Sequence, residues 1–250
     1  MNDFKSFMIG LSKLAEEFKK WAETIDWKAV HDRMEYLVND LPDDLEAESI
    51  KLMNRGWFIW FLDGTMPDFS RKMNALVGKS EHDQDSYMSE YIEENISEFE
   101  SELCRAYPDR KNQVEDAFKS HESGIYFSSI PTFLALSEGI GRDLYPDIGI
   151  FAKHKPKSSK SGLPRTDDIF DSISGLGVFE ESVLKPLRVS SEVTKTIHNP
   201  TENEKKLLNR HLIMHGNSSL YGSKENSLKA ISLVYFVHKS LEHLKSAAST

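Results

Sequence analysis

Arg210, His211 and His215 fall inside one short run, Leu207-Leu208-Asn209-Arg210-His211-Leu212-Ile213-Met214-His215-Gly216. An arginine can make paired, charge-assisted hydrogen bonds to a phosphate and balance negative charge that develops on it. A histidine titrates near neutrality and can move a proton as general acid or base. Together these groups suit cleavage of RNA without a metal. Loss of the 2'-hydroxyl proton lets that oxygen attack the adjacent phosphorus, the 5'-oxygen leaves, and a 2',3'-cyclic phosphate remains. His215 can assist either proton transfer, and His211 can complement it or orient the phosphate. The spacing does not say which proton each one handles.

These residues need an element to hold them. Thr201 and Glu204 have the spacing of a capping box, which predicts a helix from Thr201 to His215 that Gly216 stops. On such a helix His211 and His215, four apart, share a face. Arg210 and His215, five apart, diverge by about 140°. Convergence on one phosphate then needs fraying before Gly216, or a second chain. The helix end favours an imidazolium at His215, whereas burial opposes it. A solvent-facing arginine and histidine is the plain alternative.

Beyond the run, Tyr221 offers RNA a ring or a hydroxyl, or packs between the terminal helices, and Lys224 can reach phosphate from the next helix start. Lys153, Lys155 and Lys157 lie in an irregular basic loop near 146–166, which either touches phosphates or is simply exposed.

The rest of the chain reads as helices. Apolar stripes run through Phe4, Phe7, Met8, Leu11, Leu14, Ala15, Phe18 and Trp21, and through Trp27, Val30, Met34, Leu37 and Val38. A segment from about Leu45 to Leu62 ends in Gly56-Trp57-Phe58-Ile59-Trp60-Phe61-Leu62 and reads as a buried helix. Short and long helices follow around Phe69–Val77 and Tyr87–Tyr107, another begins at Pro108, and a further one covers Thr132–Leu144. A last helix from Ser223 to about Leu244 is expected to dock on its predecessor. The fold class is all-α, a multi-helical bundle.

Composition narrows the function. The one cysteine, Cys104, excludes an internal disulfide and a cysteine-built metal site. The start Met1-Asn2-Asp3-Phe4-Lys5 is not that of a secretion signal. No apolar run approaches the roughly 20 residues that span a bilayer. A cytoplasmic protein with no membrane partner is expected. His211 and His215 lack an evident third ligand, so no metal is expected. Gly139-Ile140-Gly141 and Gly175-Leu176-Gly177 lack nucleotide-loop geometry, and Ser218 and Ser219 lack an orienting acid, so neither a cofactor nor a hydrolase triad is implied. Residues 1–150 carry 16 Lys/Arg against 30 Asp/Glu, a balance of −14, while residues 151–250 carry 15 against 10, a balance of +5. That split permits an acidic partner at the C-terminal end, although acidic helix faces that simply meet water explain it equally.

The run Arg210-His211-Leu212-Ile213-Met214-His215 resembles the HEPN superfamily motif, an arginine, a polar residue, three further residues and a histidine. The stretch His215-Gly216-Asn217-Ser218-Ser219-Leu220-Tyr221-Gly222-Ser223-Lys224 and its continuation to Ala230 resembles an uncharacterised bacterial HEPN-like family, as do Ala117–Thr132 and Glu138-Gly139-Ile140. The resemblance implies an all-helical fold, metal-independent ribonuclease chemistry often used in defence against phage, and a homodimer that brings two motif-bearing helices together. It carries over Arg210 and His215 as catalytic residues, with His211 as the intervening polar one. It also implies a HEPN-like helical domain over 85–250, preceded by an accessory or core-completing region over 1–84, and an unknown regulatory protein as a further partner. Toxin members of the family often carry tyrosine two residues after the histidine, where this chain has Asn217. A helical RNA-binding or protein-interaction module without activity is the alternative.

Overall fold

The computed structural model describes residues 19–20, 24–173 and 175–248. Among them ten α-helices and no strands form the fold, joined by short 3-10 turns and one isolated bridge, Lys153 to Pro164. The all-α expectation holds. The chain divides into two compact units, residues 1–42 and 43–250, so the expected accessory region 1–84 is shared between them.

In the first unit α1 spans Trp27–Asn39, and the Asp26 side chain caps it by accepting from the Ala29 N–H at 3.0 Å. Trp27, Val30 and Met34 of its expected stripe are exposed. The stripe from Phe4 to Trp21 lies outside the described residues, as do the side chains of Leu37 and Val38.

The second unit contains most of α2 (Leu41–Asn54), followed by α3 (Met66–Leu76), α4 (Glu81–Ala106), α5 (Lys111–Glu122), α6 (Tyr126–Leu144), α7 (Asp167–Phe170), α8 (Val178–Leu184), α9 (Arg210–Met214) and α10 (Lys224–Ala247). Its centre is α10, which buries every residue from Asn226 to His238. A helix covered all round needs partners on several sides. Here α6 and α4 pack against it, and α5 packs on both of those. The expected docking of the last helix on its predecessor is therefore replaced by α6 and α4, because the predecessor is only five residues long.

The apolar run after Gly56 is buried as expected, but it is not helical. α2 ends at Asn54, and Gly56 takes φ +92°. The N–H of Trp57 then reaches the Leu52 oxygen and that of Gly56 the Met53 oxygen, both at 3.0 Å. This double bond pattern closes a helix with a left-handed residue, and glycine adopts that conformation at least cost. Residues 57–61 continue as an extended, fully buried segment. The Phe58 N–H donates to Ser232 Oγ on α10 at 3.1 Å, and the Trp60 oxygen accepts from buried Lys72 Nζ at 2.7 Å. Buried backbone that lacks a ladder must find such partners.

Elsewhere the helices start earlier than expected. Ser80 caps α4 by accepting from the Asp83 N–H, so α4 includes part of the polar stretch before Tyr87. α6 begins at Tyr126 and carries Pro131 within it. Ile150 nests against Gly141, where a side chain would collide with it, and this seats the 146–166 loop on α6.

Candidate functional site

The expected helix from Thr201 to His215 is broken in two. The Thr201–Glu204 box does form, with Glu204 accepting from the Thr201 N–H at 2.7 Å and Thr201 Oγ1 from the Glu204 N–H at 3.2 Å. Only the single 3-10 turn Glu204–Lys206 follows it, with Asn203 as its N-cap. The chain then extends, burying Leu208 and leaving Leu207 exposed, and restarts at Asn209. Asn209 Oδ1 accepts from the Leu212 N–H at 2.9 Å, a second N-cap. The same side chain donates from Nδ2 to the Glu192 and Lys195 oxygens at 2.6 and 2.9 Å. The Arg210 N–H adds a bond to the Val193 oxygen at 2.9 Å. One buried asparagine thus fastens the start of α9 to the turn at 191–197.

Gly216 (φ +69°) ends α9 as Gly56 ends α2: the Asn217 N–H reaches the Leu212 oxygen at 2.7 Å, and the Gly216 N–H reaches the Ile213 oxygen at 3.2 Å. His215 is the C-cap, so it has already left helical geometry. Arg210 is the first helical residue of α9 and His215 its C-cap, with the His215 N–H still bonded to the His211 oxygen at 3.3 Å.

Leu212 and Ile213 anchor α9 in the core, which turns the polar residues outward. The His211 and His215 rings lie with centroids 4.9 Å apart. His198 also stands beside His211, with centroids 5.9 Å apart. Arg210 lays its guanidinium against Phe151 of the 146–166 loop, 5.5 Å from the ring centre, a cation–π contact that limits its sweep. Among the described residues no carboxylate lies within ion-pair distance of Arg210, His198, His211 or His215. Burial holds the His211 pKa below its ordinary value, and its neighbours His215, His198 and Arg210 push it the same way. His211 Nδ1 is buried with no hydrogen-bond partner. His211 is thus half-buried beside Arg210, with its Nδ1 enclosed and its ring held toward the neutral form.

The predicted RNA-binding residues divide. Lys153 is half-buried, and burial together with nearby Lys195 lowers its pKa, so it extends the cationic surface toward the loop. Lys155 and Lys157 are exposed. Much of the remaining loop charge is neutralised internally: Lys160 pairs with Asp167, Asp168 and Asp171, and His154 lies 3.1 Å from Asp168. Lys224 is ion-paired to Glu93 at 2.8 Å, which raises its pKa. Tyr221 donates its hydroxyl to the Phe127 oxygen at 3.3 Å and sets its ring edge-on to Phe127. Tyr221 and Lys224 are thus held by structural contacts, whereas Arg210, His211 and His215 stand together.

Two features escaped the sequence. His198 carries no local spacing signal, because only the pinned turn at 191–197 returns it to α9. A cleft of about 510 Å³ beside α3, α4 and α10 is lined by Asp63, Tyr87, Glu90, Tyr91, Glu94 and Glu98 among others. It contains none of the predicted residues, and its five carboxylates outnumber its two bases, Arg71 and Lys72. Among the described residues no group of three or more His, Cys, Asp or Glu is placed to hold a metal ion, and no helix is long and apolar enough to cross a membrane. No protein-family model, curated protein or solved structure matches the chain.

Proposed function

We propose that this protein is a metal-independent endoribonuclease of the HEPN type, cleaving RNA by attack of the 2'-hydroxyl on its own phosphodiester. One observation carries the reading. Arg210, His211 and His215 gather at the surface in a cluster with no carboxylate within pairing distance. Arg210 holds the scissile phosphate and offsets charge in the transition state, while His215, exposed at the helix end, moves a proton. His211 is the positioning group between them. Lys153, Lys155 and Lys157 guide the flanking phosphates.

The reading includes a cytoplasmic homodimer active in defence against phage, under an unknown regulatory protein. Support for the dimer comes from Ile125, Phe127 and Leu220, three exposed apolar side chains on the segments that Tyr221 joins to α6.

The test compares wild type, Arg210→Ala and His215→Ala on end-labelled single-stranded and structured RNAs with EDTA present. Cyclic-phosphate ends from wild type and a loss of about 10² to 10³-fold in each folded variant are expected. Binding without cleavage by wild type across a broad set of RNAs would instead identify a nonenzymatic RNA-binding module, and strict metal dependence would overturn the mechanism.

A further inference from the structure

We propose that His198 is a second proton-transfer residue of this site, acting with His215, since both rings lie beside His211. The inference rests on the ribonuclease reading and adds to it a group that no motif contains.

Position is the first argument. His198 is exposed, yet the chain around it is held firmly. Ile197 and Val193 are buried, Asn209 ties the Glu192 and Lys195 carbonyls to α9, and Arg210 holds the Val193 carbonyl. Immediately after His198 the chain turns through Asn199 at φ +55°, a conformation that asparagine tolerates better than most residues, and enters Pro200. The imidazole is therefore presented at a fixed place, edge-on to His211.

Chemistry is the second. Cleavage by the 2'-hydroxyl needs two proton transfers on opposite sides of the phosphorus: one from the attacking oxygen, one to the departing 5'-oxygen. A single exposed histidine must perform both or leave one to water. Two exposed imidazoles that both neighbour a half-buried third can divide the work. One neutral imidazole takes the 2'-hydroxyl proton as the O2'–P bond forms. The other, as imidazolium, gives its proton to O5' as the P–O5' bond breaks. Protons balance, the two rings exchange charge states, and solvent resets them.

The surroundings fit that division. His198 lies beside His211, whose other charged neighbours are His215 and Arg210, and Lys195 precedes it on its own segment. Lys195 is paired with Glu192 at 3.3 Å, and Glu204, on the segment that follows, is committed to Thr201. Among the described residues no carboxylate lies within ion-pair distance of His198.

The test measures cleavage rate against pH from about 5 to 9, with EDTA, for wild type, His198→Gln, His198→Asn and His215→Gln, with filter binding of the same RNA. Each variant is expected to lose about 10²-fold or more in rate, with RNA affinity kept within about threefold. His198 and His215 variants should each lose a different limb of a bell-shaped profile. A substrate with sulfur in place of O5', whose leaving group needs no proton, should restore one of the two sets selectively. Wild-type cleavage with His198 variants matching it in rate and profile overturns this proposal and leaves the ribonuclease reading intact. Absence of cleavage by wild type overturns both.

Discussion

The side-chain amide of Asn209 donates to the main-chain oxygen of Lys195 at 2.9 Å while its own oxygen caps α9 through Leu212. One residue, 1% exposed, thereby sets both the start of the site helix and the turn that carries His198. Replacing it with alanine removes a cap, about 1 kcal/mol, and strips donors from two part-buried carbonyls, about 1–2 kcal/mol more. Asn209→Ala is expected to lose about 2–3 kcal/mol in urea unfolding. Asn209→Asp keeps the acceptor but not the donors and should fall in between. A loss below about 0.5 kcal/mol, the scale of an ordinary surface change, would show that the clamp does not hold the turn.

Ser232 plays the matching part for the extended segment 57–61. Its hydroxyl accepts from the Phe58 N–H at 3.1 Å and donates to the Lys229 oxygen at 2.7 Å. Both residues are buried, so no water replaces the lost partner. Ser232→Ala is expected to cost about 1–3 kcal/mol, with faster hydrogen exchange at the Phe58 amide. Unchanged exchange there would mean that the segment is held by its apolar side chains alone.

These two contacts mark where sequence reasoning stopped. α10 was legible because Leu228, Ile231, Val234, Val237 and Leu241 recur at helical spacing, and all are buried. The run from Trp57 to Phe61 has no period at all, which suits a helix and an extended strand of chain equally. The decisive signal was Gly56, whose closing turn ends α2. At the site, the Thr201–Glu204 box forms, but only a single 3-10 turn follows it instead of a long helix. The second cap, Asn209, stood three residues before a main-chain N–H that it could serve, but so do many asparagines. Arg210, His211 and His215 were legible as types and spacing. His198 was not, since its approach to His211 depends on tertiary hydrogen bonds between the 191–197 turn and Asn209.

Tyr221 answers a vacancy created by a proline. Pro131 sits inside α6 without an N–H, so the Phe127 carbonyl, four residues earlier, has no helical donor, and the Tyr221 hydroxyl reaches it. Tyr221→Phe is expected to lower stability by about 0.5–1 kcal/mol, the size of one hydrogen bond with partial access to water. Pro131→Ala, which restores the helical donor, should erase that difference in a double-mutant cycle. A Tyr221→Phe variant that keeps its stability but loses RNA affinity would return the hydroxyl to the RNA-binding role first expected of it.

His121 predicts how the fold responds to acid. It is buried on α5, its Nδ1 lies 2.8 Å from Ser227 Oγ, and Ser227 in turn lies 2.7 Å from Ser129 Oγ. Burial, with Lys224 second, lowers its pKa, and Glu93 and Glu122 only partly offset this. The unfolded chain takes up a proton at this histidine near pH 6.5, whereas the folded protein resists until lower pH. Below about 6.5 the unfolded state therefore binds more protons, and stability falls as pH drops, while above it this contribution is constant. His211 and His238, also held low mainly by burial, act in the same direction. A buried group such as His121 contributes a slope of up to about 1.4 kcal/mol per pH unit. His121→Gln removes one titrating group, so its stability should decline less steeply than that of wild type between about pH 6.5 and 5, whatever its stability at neutral pH. Parallel slopes in that window would mean that His121 ionises as readily in the folded protein as in the unfolded chain.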